Sequence, residues 1–137
     1  MSTARPSTLC EQLLALIKGV TPYTQRTPRD VFQGRVGDQP QIAGDRYVLI
    51  VPDSVTRNAT LLDNRMCDLS VEARVFYQNT ADNWSRAIDD QAQLVATIDE
   101  WTVGGVYAVT IDAASVTLAT EDVIQATINV SLVFNLE

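Results

Sequence analysis

The chain has 137 residues, ten basic and seventeen acidic side chains, a formal net charge of −7 and no histidine. That length corresponds to one domain with enough chain to bury a real core, and the 46% apolar fraction describes a folded protein rather than a disordered one. The negative charge argues against a nucleic-acid-binding surface, the missing histidine excludes Ser-His-Asp and Cys-His catalysis, and two cysteines without imidazole make a poor zinc site.

Charge is unevenly distributed. All ten bases lie at or before Arg86, beside nine acids, whereas Ala87 to Glu137 holds eight acids and no base. Such a segment is either a solvated acidic face or a surface that must not hold a polyanion. No apolar run reaches membrane-spanning length, and the N-terminus lacks a basic-then-apolar leader, so cytosolic synthesis and two buried free thiols, Cys10 and Cys67, are expected.

Residues 1–6 read as a loose tail. Thr8 and Glu11 have capping-box spacing, and Leu9, Leu13, Leu16 and Ile17 form an apolar stripe, which predicts a first helix stopped by Gly19 and Pro22. Val31 to Val36 is a short strand candidate, followed by a Gly/Pro connector. Arg46 to Val51, stopped by Pro52, is a second strand. Residues 54–66 have no clear period and read as a long loop. Leu69, Val71, Ala73, Val75 and Tyr77 then alternate with Ser70, Glu72 and Arg74, the pattern of a half-buried strand.

Thr80 to Asp82 offers N-caps for a second helix, whose stripe is Trp84, Ala87, Ile88, Val95 and Ile98, with Arg86, Asp89, Asp90 and Gln93 off it. Gly104-Gly105 breaks the pattern. Val106 to Ile111 is a strand that continues, with a bulge, through Ala113 to Leu118. From Ile124 to Leu136 apolar and polar residues alternate for about thirteen positions, longer than the usual strand, so this terminal strand is expected to outreach its sheet and offer an edge to a neighbour. The order α-β-β-β-α-β-β predicts a single α+β domain, with a mainly antiparallel sheet of about five strands and two helices on one face.

Chemistry is sparse. Asp89-Asp90, Asp99-Glu100 and Glu121-Asp122 are adjacent pairs, and neighbours on a helix diverge by about 100°, too far to converge on one atom. Gly34 and Gly37 have the GxxG spacing of a nucleic-acid clamp, but their flanks read as strands. The single lysine, Lys18, is remote from them, which excludes a Walker loop. The glycines are better explained as letting the chain turn between strands. Trp84 and Trp101 bracket the second helix, each expected to pack with its indole N–H bonded.

The succession "VFQGRVGDQPQIAGDRYVLIVPD", "CDLSVEARVFYQ", "NWSRAIDDQAQLVATIDEW" and "ATINVSLVFNLE" resembles the tail terminator (tail completion) proteins of long-tailed bacteriophages. The shared features are the aromatic-Xaa-Gly segment Phe32-Gln33-Gly34, Pro40 in the connector, and the apolar strand from Arg46 to Pro52. The resemblance implies a virion protein assembled in the host bacterial cytoplasm, a homo-oligomer forming a hexameric ring that caps the tail tube and stops its growth. It also implies contacts with the tail tube protein and with head–tail connector or neck proteins, DNA passing through the pore without specific binding, and no membrane. No cofactor, metal or catalytic residue is implied. Phe32, Arg35, Arg46, Trp101, Ile128 and Val130 are the interface candidates on this reading, and Asp89, Asp90, Glu121 and Asp122 the candidates for an acidic lumen. The alternatives are another neck or tail component, such as a head–tail connector or tube-like protein, and a small carboxylate-bearing ligand-binding module or enzyme subunit.

Overall fold

A computed structural model describes residues 2–18, 46–57 and 65–137. Its elements are α1 (Pro6–Lys18), β1 (Arg46–Arg57), β2 (Met66–Gln78), α2 (Ala81–Asp99), β3 (Val106–Thr120) and β4 (Val123–Asn135). The strands form an antiparallel sheet in the order β1-β2-β4-β3. This is the α+β class that the sequence implies, with four strands among the described residues. The strand expected at 31–36 and the Gly/Pro connector lie outside them.

The two central strands carry the core. Leu69, Val71, Ala73, Val75 and Tyr77 of β2 face the same way as Leu132, Val130, Ile128, Ala126 and Ile124 of β4, each directly opposite its partner in the register. All ten are at most 2% exposed. Leu9, Leu13 and Ile17 of α1 and Ala87, Leu94 and Ile98 of α2 join them in one cluster, so both helices lie on that face. Burying each such aliphatic side chain stabilises the fold by about 1.5–3 kcal/mol. The opposite face presents Ser70, Glu72 and Arg74 of β2 and Gln125, Thr127, Asn129 and Ser131 of β4, all half-buried.

Several local expectations change. The helix begins at Pro6, whose missing N–H costs nothing in a first turn, and the Arg5 carbonyl accepts from the Leu9 N–H at 3.0 Å. Thr8 therefore lies inside α1 and caps nothing. Residues 2–5 are not a loose tail: Ala4 is buried and pairs in parallel with Leu136, its N–H donating to the Asn135 carbonyl at 2.8 Å. The loop expected over 54–66 is strand at both ends, because β1 continues past a register shift between Pro52 and Ser54 to Arg57 and β2 begins at Met66. Nor does the terminal strand outreach its sheet. Its thirteen residues are flanked by thirteen in β2 and fifteen in β3, and its fully apolar inward row belongs to a central strand.

Candidate functional site

Of the interface candidates, Phe32 and Arg35 lie outside the described residues, and Arg46 opens β1 opposite Tyr77. Ile128 and Val130 are 1% and 0% exposed on the helix side of β4, so they serve the subunit's own core and are not available to a neighbour. Trp101 is half-buried against the same core, just after α2, where its backbone N–H donates to the Ile98 carbonyl at 3.1 Å.

The four lumen candidates separate as well. Asp89 is exposed on α2, and Glu121 and Asp122 are exposed in the two-residue turn between β3 and β4. Asp90 is a core residue, 8% exposed, and its Oδ2 accepts from the Tyr77 hydroxyl at 3.0 Å. Tyr77 is wholly buried. A buried phenol requires an acceptor, and Asp90 supplies it from the third turn of α2. Nothing in the local sequence signals this role, since a carboxylate beside Asp89 reads as half of a solvated pair.

The ends of the chain meet at one end of the sheet. Arg65 donates through Nε to the Leu136 carbonyl at 2.8 Å and through Nη2 to the Glu137 carbonyl at 2.7 Å, while Arg5 and Glu137 form an exposed ion pair at 3.0 Å. Gly105 turns the chain into β3 at φ +85°, and a Cβ there would lie 2.7 Å from the Thr3 carbonyl carbon. The glycine is required both by the backbone conformation and by the close passage of residues 3–4. Asn135 donates to the Ser2 carbonyl at 3.3 Å, and its buried Oδ1 has no partner among the described residues. These groups fasten the terminus to the sheet rather than converge on an open cleft.

Two surface hollows among the described residues are open: one follows the outer face of α2 past Asp89, Gln93, Thr97 and Glu100, and another lies beside Trp101, Val103, Tyr107 and Val109. Among the described residues no group of three or more metal-ligating side chains is assembled, and no described helix is long and apolar enough to cross a membrane. The Cys10 thiol is pushed up to about 11 by burial and, to a smaller extent, by the neighbouring Glu11 carboxylate, which keeps it protonated and unreactive at neutral pH. Cys10 and Cys67 are both buried and free.

Among the described residues the sheet ends in two unlike edge strands, β1 and β3. The β1 edge carries Arg46, Asp53, Arg57 and Pro52, devices that discourage strand addition. The β3 edge carries one charge, Asp112, and no proline or lysine in fifteen residues. No protein-family model matches the chain, and no curated protein shows significant similarity to it.

Proposed function

We propose that the protein is a structural ring subunit of a long-tailed phage neck, the tail terminator, which caps the tail tube, stops its growth and offers the head-side neck proteins a joining surface. The observation that carries this is the division of charge within one small rigid domain. The segment from Ala87 onward, comprising most of α2 with β3 and β4, has eight acids and no base, while every base lies before it. A closed ring is built by contact between two different patches of the same subunit, and unlike halves favour that arrangement over a symmetric pair. Six copies of a −7 chain carry about −42, a field that repels phosphates from the pore wall and lets DNA pass without adhering.

The sequence resemblance to tail terminators supports the same function, and the interlocked core suits a rigid building block. Removing the protein from an assembling phage should give tails of uncontrolled length with no heads joined. Tails of normal length with unjoined heads would instead assign the chain to a head–tail connector and overturn the terminator role. Purified protein added to growing tail tubes supplies the complementary check: elongation should stop, with the protein found at one tube end.

A further inference from the structure

We propose that the outer edge of β3, over Ala113–Leu118, and the flank of α2 above it form an acceptor groove for an extended, lysine- or arginine-bearing segment of a different protein, which joins the sheet as its next strand. The site is argued from the sheet, the helix and the charge on both, and it does not rest on the ring function.

Among the described residues β3 has one strand neighbour, β4, so every second N–H and C=O along β3 points away from the sheet. Register shifts fall between Ile111 and Ala113 and between Leu118 and Thr120. They leave Ala113 to Leu118 as a regular run, the length of an ordinary strand, with no charged residue and no proline. Exposed edges are normally blunted by charge, proline or a bulge, and this stretch has none of them.

The helix reaches further than the sheet beneath it. Gln91 Nε2 donates to the Ser115 carbonyl at 2.7 Å and to the Thr127 carbonyl at 3.2 Å, which fixes that flank of α2 over the seam between β3 and β4. At 3.6 residues per turn, Val95 and then Ile88 follow Gln91 round the helix, away from its buried line of Ala87, Leu94 and Ile98, and so overhang the β3 edge. Val95 is half-buried, whereas Ile88 is 56% exposed. In the sheet, Ala114, Val116 and Leu118 pair with the core residues Ile128, Ala126 and Ile124, and directly opposed residues share a face. All three therefore lie on the helix side, with Leu118 52% exposed. A further strand would cover both large apolar side chains, Ile88 from below and Leu118 from the side. It would set alternate apolar residues beneath α2 and polar ones on the other face.

Charge selects the occupant. The parts that form the groove, α2 from Ala87 onward and all of β3, hold acids and no base. Asp89 adjoins Ile88 in sequence, Asp112 precedes the uncharged run, and Glu121 and Asp122 follow β3, all four exposed. Arg86 stands two positions before Ile88 and so on the opposite side of α2. A segment with lysine or arginine at its ends complements this acidic frame, while an acidic segment or a nucleic acid is repelled. A second copy presenting its own β3 would bring the same base-free acids to the groove, and one presenting β1 would bring Pro52, Asp53 and a register shift, a poor strand to add. The occupant is therefore a different, basic chain.

The probe is a synthetic peptide with an alternating valine–threonine core and lysines at both ends, added to the 137-residue chain at low salt. It should bind and shift the amide NMR signals of Ala113 to Leu118 and of Ile88. With glutamates in place of the lysines it should bind at least about tenfold more weakly, and added salt should weaken the lysine form. Methylating one alternate set of its backbone nitrogens should abolish binding while methylating the other set is tolerated, because an added strand pairs through one edge. Ile88→Lys with Leu118→Lys should lose at least about tenfold in affinity. Val55→Lys with Thr56→Lys on β1, which adds the same charge, should bind as the wild type does. All four positions are exposed, and circular dichroism and thermal melting establish that each variant folds. A lysine peptide that does not bind, a glutamate peptide that binds equally, indifference to both methylated sets, or full binding by the Ile88 and Leu118 variant would each overturn the proposal. So would wild-type oligomers that Leu118→Lys dissolves, which would give the edge to a second copy.

Discussion

Tyr77 and Asp90 show how a buried hydrogen bond helps to tie α2 to the sheet. The phenol is wholly buried and donates to a carboxyl oxygen of a residue that is 8% exposed, so removing the hydroxyl withdraws one donor from a buried acceptor. Tyr77→Phe should lower stability by about 1–3 kcal/mol, read as a lower urea midpoint with an unchanged slope; an unchanged midpoint would mean that water replaces the bond. Gly105 is the second sensitive position. Gly105→Ala imposes an L side chain at φ +85° and pushes against Thr3, at a cost of about 1–3 kcal/mol, and amide exchange at Ala4 should quicken because the terminus lifts away. Cys10 supplies a pH dependence. Its pKa is raised from 9.0 to about 11 in the folded chain, so the folded state holds the proton more tightly than the unfolded one. Its contribution is full below pH 9 and is lost as pH rises through the interval to about 11. Wild-type protein should therefore lose stability relative to Cys10→Ala across that window, measured by urea melts at several pH values.

At the scale of elements, the sequence conveyed type better than role. The period-two alternation in β2 and β4 is a direct consequence of one buried sheet face, and it identified both strands and their inward residues. The bulge in β3 was legible from its broken alternation, and the register shift between Ile111 and Ala113 is its physical form. Thr80 was among the expected caps, and its Oγ1 accepts from the Asn83 N–H at 3.1 Å. Thr80→Ala should cost about 0.5–2 kcal/mol, whereas Thr8→Ala, inside α1, should stay within about 0.5 kcal/mol. Two features were not legible. The helix stripe named Ile88, which is 56% exposed, and missed Leu94, 1% exposed, because α2 meets β3 and β4 along a line that only the tertiary contact defines. The placing of β4 between β2 and β3 was also hidden. Strand order depends on pairings between segments tens of residues apart, and a long alternating run looks alike at an edge and at a centre until its neighbours are known.

For the whole molecule, the distribution of charge matters more than any single side chain, and the lumen hypothesis can now be tested with the fold intact. Reversing Asp90 along with the others would place an ammonium beside Tyr77 in the core, so a loss of infectivity could reflect unfolding, since burying an unpaired charge is strongly destabilising. Asp89, Glu121 and Asp122 are exposed, and their reversal to lysine moves the formal charge of the subunit from −7 to −1, three acids lost and three bases gained. If these residues face the pore of a six-membered ring, DNA phosphates meet attraction where they had met repulsion, and the field that kept the polyanion sliding is replaced by sites that hold it. The expected outcome is a phage whose tails have normal length and joined heads but whose plaque titre falls, with DNA ejection from purified particles slowed and the delay relieved by added salt, which screens the new contacts. A normal titre with unchanged ejection would remove these three acids from the pore wall. Tails of abnormal length would place them instead at the contact with the tube.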